Sequence, residues 1–211
     1  ELPELPAVVV RDTTLEPERA LDEAAALEET RRNPGSVGFV GEEQIERTRA
    51  TDLEDVLQDT AGVLVRSRGL GEDPKISIRG SGLRNNFHTR GVNVLLDGFP
   101  FQNADGFSDV ESLEMLATKR IEVYKGANSL RMGGGALGGA INLVTRTVDD
   151  SPPLSLRNEL GSFGFWKSYA RTGLRSERGD LFGAFSHSQN GGSRRHADGG
   201  RQRLLGSFGH E

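Results

Sequence analysis

The sequence has 211 residues, 28 of them glycine, no cysteine and a net charge of −5. Without cysteine, a disulfide scaffold, a thiolate metal site and a cysteine nucleophile are excluded, and the acidic balance argues against a nucleic-acid partner. No run approaches the roughly 18 consecutive apolar residues of a transmembrane helix, which leaves open β-barrel strands with their alternating pattern.

The chain starts without Met and without a charged and apolar leader, as expected of a trimmed cytosolic protein or of one whose signal peptide has been removed. Residues 1–16 read as a tail with Pro3, Pro6 and one β-prone run, Ala7 to Val10. Pro17 can open an acidic helix that ends before Asn33-Pro34-Gly35. "SVGFV" (36–40) reads as a strand and Gly41 to Arg47 as a short helix. Thr51-x-x-Glu54 is a capping box for a further helix, with Leu53, Val56 and Leu57 on one face and Gly62 as its C-cap. "VLVRS" (63–67) and "KISIRG" (75–80) read as strands joined by a glycine-bearing turn. "VNVLLDGFP" (92–100) is a strand closed by the turn Asp97-Gly98. Ser108-x-x-Glu111 resembles a second capping box, opening a helix over "DVESLEMLATKR". "RIEVYKG" (120–126) and "INLVTR" (141–146) complete an α+β domain.

At Asp149-Asp150-Ser151-Pro152-Pro153 the pattern changes. Leu154, Leu156 and Leu160 alternate with Ser155, Arg157 and Glu159, and Trp166, Ala170 and Leu174 with Lys167 and Arg171. Glycine or charged turns recur and helix signals are missing. This is the pattern of an antiparallel meander with one apolar face and one charged face turned to a wet interior.

Gly133-x-Gly135-x-x-Gly138 has the spacing of a dinucleotide fingerprint, which needs a helix after the glycines. "AINLVTRT" follows instead, and its β-branched residues oppose a helix. The alternative is a glycine turn where backbones approach closely, formed with Gly126, Gly134 and Gly139. His88, His187, His196 and His210 show no ligand spacing. His88 lies in "GLRNNFHTRG", where Arg84, Asn85, Asn86 and Arg90 surround Phe87. Such donors suit an anionic or oxygen-rich ligand, and an ordinary solvated loop has the same composition. "FPFQNADGF" (99–107), with Gln102 and Asn103, is either a ligand platform or a loop whose aromatics pack inward. Asp97 reads as a turn former rather than a catalytic acid, and no paired carboxylates or Ser-His-Asp spacing support an enzyme.

"ISIRG" at 76–80, "VNVLLDGFP" at 92–100 and "RIEVYKGANSLRMGGGALGGAINLVTR" at 120–146, in this order, resemble the plug domain of TonB-dependent outer-membrane receptors. "TDLEDVLQDTAGVLV" at 51–65 is similar to the segment that precedes them in that family. The resemblance implies a tail over 1–33, a plug over 34–148, and over 149–211 the first antiparallel strands of a transmembrane β-barrel, whose closed form has about 22 strands. Residues 149–211 suffice for about four strands, so the chain is expected to be the N-terminal part of a receptor, without room for an extra signalling domain ahead of the plug.

The implied function is active uptake without chemistry, closest to receptors for ferric siderophores or ferric citrate. Arg84, Asn85, Asn86, Phe87, His88, Arg90, Gln102 and Asn103 would meet the ligand on apical plug loops. Iron would arrive already chelated, so no cofactor and no protein metal site are expected. Residues about 5–12, with Pro6, Ala7, Val8, Val9 and Val10, occupy the place of the TonB-contacting segment, and such an extended run can add as a strand to a partner sheet. A disordered tail with chance β-propensity is the other reading. The implied setting is the outer membrane of a Gram-negative bacterium, with lipid around the barrel. The rivals are a soluble periplasmic interaction module, a receptor of the same family for cobalamin, haem or a carbohydrate, and a nucleotide-dependent oxidoreductase, which a strand at 141–145 would remove.

Overall fold

The computed structural model describes residues 22–33, 35–68, 72–81, 91–103, 107–193 and 195–209. Helix α1 (Glu23–Arg32) begins where the Asp22 carboxylate accepts the Ala25 N–H at 2.7 Å, and ends at Asn33, which precedes a proline; Pro17 lies outside the described residues. Only Ala26 and Thr30 of α1 are buried. Strand β1 (Val37–Val40) and helix α2 (Glu42–Arg47) follow as the sequence predicts.

Helix α3 (Leu53–Leu57) buries Leu53, Val56 and Leu57, but its cap is Asp52, which accepts from Asp55 N, and not Thr51. Asp55 in turn accepts the Thr51 N–H at 2.9 Å, while Glu54 turns to Ser67 N, so the expected Thr51–Glu54 capping box does not form and the cap lies one residue on. The Thr51 hydroxyl makes no hydrogen bond among the described residues. The helix stops before Gly62, whose positive φ serves the turn into β2 (Val63–Arg68). Strand β2 pairs with β3 (Glu72–Ile78) as a hairpin.

Strand β4 (Val92–Leu96) turns through Asp97-Gly98 into the short β5 (Phe99–Pro100). Both turn residues have positive φ, which asparagine, aspartate and glycine tolerate best. The helix expected over "DVESLEMLATKR" is absent: two single 3₁₀ turns, 110–112 and 115–117, flank extended Leu113 and Glu114. Glu114 uses its own carboxylate to accept Leu116 N, and distant partners take Glu111 O, the Glu114 carboxylate and Leu116 O, which overrides the segment's helix propensity.

Strands β6 (Thr118–Lys125) and β7 (Gly139–Thr145) complete a mixed sheet in the order β1-β6-β7-β4-β5, antiparallel except for the β4–β7 pair. Every residue of β6 and β7 is buried, because both faces of the sheet are covered. Ile121 and Val123 point into the main core with Ile45, Leu57, Ile76, Ile78, Val94 and Ile141. Glu122 and Tyr124 point the other way, where Glu122 bonds Arg120, Tyr124 and Asn142.

Four antiparallel strands follow: β8 (Ser155–Leu160), β9 (Trp166–Ser176), β10 (Gly179–Asn190) and β11 (Gly199–Gly209). One face aligns Leu156, Ala170, Phe185 and Leu204 in register, and Leu174, Leu181 and Phe208 in a second row. Leu156, Phe185, Leu204 and Phe208 are exposed. The opposite face aligns Arg157, Tyr169, Ser186 and Arg203. The middle of that charged face does not meet water, as the sequence pattern suggested, but packs on the α+β domain, while Arg175 at its end stays exposed. Tyr169, Phe182 and Ala184 join the domain's core, and Lys167 and Arg203 are buried. No described helix is long and apolar enough to cross a membrane.

Candidate functional site

The glycine motif is a structural turn. After β6, Gly126 takes a positive φ and a 3₁₀ segment runs to Met132, pinned by Ser129 Oγ, whose single proton is shared between Gly126 O at 2.7 Å and Ala136 O at 2.6 Å. Gly133 and Gly135 have φ of 104° and 84°, a region that L side chains avoid. Gly138 N donates to Gly91 O at 2.8 Å, and Gly126 N to Gly138 O at 2.9 Å. A Cβ on Gly138 would collide with Ser81 and lie 3.0 Å from Gly91 O, and one on Gly139 would lie 2.5 Å from Tyr124 O. Gly134 has open space beside it. Strand β7 stands where a dinucleotide site needs a helix N-terminus, so the oxidoreductase reading falls.

The turn has a second consequence. Ser81 and Gly91 are the roots of the donor-rich loop, so the Gly138 contacts clamp its two ends together. Arg84, Asn85, Asn86, Phe87, His88 and Arg90 themselves lie outside the described residues, as do Pro6, Ala7, Val8, Val9 and Val10.

Gln102 and Asn103 are described. Gln102 Nε2 donates to Asn93 Oδ1 at 3.2 Å, while Asn93 Nδ2 donates to Met132 O at 3.1 Å and Gly134 O at 3.2 Å. Asn93 therefore joins the Gln102 loop to the glycine turn and, through it, to the roots of the first loop. Sequence reasoning passed over Asn93, although a lone asparagine inside "VNVLL" is the mark of a buried polar group that needs partners. Asn103 is exposed; its N–H closes the loop onto Phe107 O at 2.7 Å, and its Nδ2 donates to Asp109 Oδ2 at 3.0 Å. Of the loop's aromatics, Phe99 is exposed and Phe101 packs against the core.

The seam between domain and wall is built from ions and carbonyls. Lys167 Nζ donates to Glu114 Oε1 at 2.9 Å and Ala50 O at 2.8 Å. Arg203 reaches Glu111 O at 2.8 Å, Thr51 O at 3.1 Å and Glu114 Oε2 at 3.4 Å. Tyr169 donates to Leu116 O at 3.0 Å. Lower on the wall, Arg157 donates to Glu46 O and Thr48 O, and Arg171 meets Glu46. Arg146, fully buried at the end of the domain, donates to Leu116 O and pairs with Glu42 and Glu46 of α2. Helix α2 has Gly41 at its N-cap, without a side chain to cap it; Glu23 of α1 supplies the missing acceptor to Glu42 N at 3.0 Å.

Electrostatics inside the domain follow burial. Burial, and then the neighbouring Asp55, raises the Asp52 carboxyl above its usual value. Burial, and then the charge of Arg79, lowers Lys125, whose ammonium donates to Ala61 O at 2.7 Å. At Asp150 burial opposes ionisation but is outweighed by Lys119 and by hydrogen bonds from Thr147, so its pKa falls. Asp97 is the turn former the sequence suggested, accepting Thr145 N at 2.7 Å and Thr145 Oγ1 at 2.8 Å. His187 sits beside Trp166 on the outer face, with ring centroids 5.0 Å apart. Among the described residues no group of three or more His, Asp or Glu is arranged to hold a metal.

Residues 29–140 match the model of the TonB-dependent Receptor Plug Domain family. The vitamin B12 transporter BtuB of Vibrio vulnificus (strain CMCP6) is 31% identical over 117 residues, which are 55% of this chain and 18% of that protein. The ferric yersiniabactin uptake receptor FyuA of Yersinia pestis is similar in structure, with a TM-score of 0.59 at 20% identity over 83% of this chain and 28% of that one. The ferric enterobactin receptor PfeA of Pseudomonas aeruginosa, in a mutant form, gives a TM-score of 0.56 at 23% identity, over 77% and 25% of the two chains. At these identities the two structural likenesses show the fold. The chain thus spans between about a fifth and about a quarter of the length of these relatives, which are a transporter and receptors rather than enzymes.

Proposed function

The chain belongs to the TonB-dependent receptor plug domain family, and from this we propose that it gates active uptake of a ferric chelate, siderophore or ferric citrate-like, across the outer membrane of a Gram-negative bacterium. The observation that carries the reading is the seam: a mixed-sheet domain seals its Glu46 and Glu114 side against the polar face of an antiparallel wall whose other face is an apolar row. This arrangement suits a plug inside a barrel, with lipid against Leu156, Phe185, Leu204 and Phe208. The ligand would bind at the end where Asn93 and the glycine turn draw the two loops together, on Arg84, Asn85, Asn86, Phe87, His88, Arg90, Gln102 and Asn103. Guanidinium and amide donors in that number suit the oxygen-rich, often anionic surface of an iron chelate. The metal would be cargo rather than cofactor. TonB would engage residues about 5–12 by strand addition.

Cobalamin is the second reading, favoured by the 31% identity with a vitamin B12 transporter. Uptake of radiolabelled ferric enterobactin, ferric citrate, haem and cyanocobalamin by cells with and without the full-length gene separates the two. Gene-dependent and TonB-dependent entry of an iron chelate supports the first. Entry of cyanocobalamin alone selects the second, and entry of none overturns both.

A further inference from the structure

Eleven positions separate Asn103, at the candidate ligand loop, from Glu114, at the wall, and the intervening segment is bonded at both ends. At the loop end, Asn103 Nδ2 donates to Asp109 Oδ2 at 3.0 Å. Asp109 O then accepts both Ser112 N, at 3.0 Å, and Ser112 Oγ, at 2.7 Å, which fixes the 3₁₀ turn 110–112 directly beneath it. From that turn onward the chain is buried at Val110, Leu113, Glu114, Met115 and Leu116. Its polar groups there belong to the wall: Glu111 O to Arg203, the Glu114 carboxylate to Lys167 and Arg203, and Leu116 O to Tyr169. The first link of this chain is exposed and exchangeable, and the last ones are sealed from water.

We infer that Asp109 is a positioning residue that couples occupancy of the Gln102–Asn103 loop to the plug's hold on the barrel wall. The inference rests on the reading of that loop as a ligand contact. A ligand oxygen that takes the Asn103 amide removes the bond that anchors the Asp109 side chain; the turn keeps its own bonds to Asp109 O but can then shift as a unit, which loosens the grip of Glu111 and Glu114 on Arg203 and Lys167. By linkage, loosening the same grip by mutation strengthens ligand binding. Gln102 provides the internal contrast, because its bond runs to Asn93 and the glycine turn, away from the wall.

Lys167 is 1% exposed and its amine is a chemical reporter of the seam. In outer-membrane vesicles carrying the full-length protein, acetylation of Lys167 by a water-soluble amine reagent is followed by mass spectrometry without added ligand. Asn103→Ala and Asp109→Ala are expected to raise its rate about threefold to tenfold, the range of one modest hydrogen bond. Asp109→Asn keeps an oxygen acceptor for Asn103 and stays near wild type, as does Gln102→Ala. An unchanged rate in Asp109→Ala overturns the inference, as does an equal rise in Gln102→Ala. Binding of ferric enterobactin, ferric citrate and cyanocobalamin to the wild-type vesicles is measured alongside. No binding by any of them overturns the receptor reading itself, and the ligand-free acetylation rates still decide the Asp109 link.

Discussion

Glu114 and Lys167, 53 residues apart, form an ion pair at 2.9 Å with both side chains all but sealed from water. Arg203 shares the same carboxylate, so two wall cations depend on one plug anion, and backbone carbonyls supply their remaining acceptors. Removing one member of a buried pair is far more damaging than replacing all members with apolar groups. Glu114→Gln is therefore expected to weaken the seam by about 3–5 kcal/mol, read as a lower urea midpoint for proteolytic release of the plug in the full-length protein. A shift below about 1 kcal/mol would mean that the carbonyls alone hold the cations.

Gly139→Ala tests the close-packing account of the glycine run. Its Cβ would sit 2.5 Å from Tyr124 O, a backbone atom fixed in the β6–β7 ladder. Loss of about 2–3 kcal/mol is expected, whereas Gly134→Ala, with open space beside it, stays within about 0.5 kcal/mol. Equal effects in thermal unfolding of the two variants would remove the argument.

Asp150 gives the plug an acid limb. Its pKa is lowered in the fold, so the unfolded chain binds more protons just below the ordinary value of 3.8. The stabilisation is complete above that pH and is lost as pH falls through the lowered folded value. Asp150→Asn should flatten the stability profile below about pH 4 and leave its slope near neutrality unchanged. An acid limb that persists in the variant assigns it to other carboxylates.

Val9→Pro addresses the tail. Proline cannot donate to a strand ladder, so uptake of the proposed ligand is expected to cease while its binding at the cell surface survives. Unchanged uptake would count against Val9 as part of a TonB contact.

Much of this architecture is legible in the sequence because it is carried by local period. The alternation of Leu156 with Arg157, or of Trp166 with Lys167, gives the faces of the wall directly, and "DG" gives the Asp97–Gly98 hairpin. The reading failed where a local signal competed with a distant partner. Ser108 and Glu111 have capping-box spacing, yet no helix forms, since Glu111 O and Glu114 are committed to Arg203, 92 and 89 residues away. The charged face of the wall reads as solvated from local pattern alone, because its partners, Glu46, Thr51 and Glu114, lie in another part of the chain. At the candidate ligand site, the donors of the two loops are visible as composition. The Asn93 junction that ties Gln102 to the glycine turn depends on a contact 41 residues long in sequence, which no local pattern encodes.

The cap that α2 borrows from Glu23 bears on the order of assembly. A six-residue helix with glycine at its N-cap has little tendency to form alone, and here its acceptor lies 19 residues earlier while its charge partner Arg146 lies about a hundred residues later. The wall contacts span still longer loops, up to 152 residues between Thr51 and Arg203. Such closures carry the largest entropic cost and are delayed in folding. The hairpins β2–β3 and β4–β5 are therefore expected to acquire hydrogen-exchange protection early, and the corner where α2, Arg146 and the wall meet should be the last to close. Early protection at Ile45 would contradict that order.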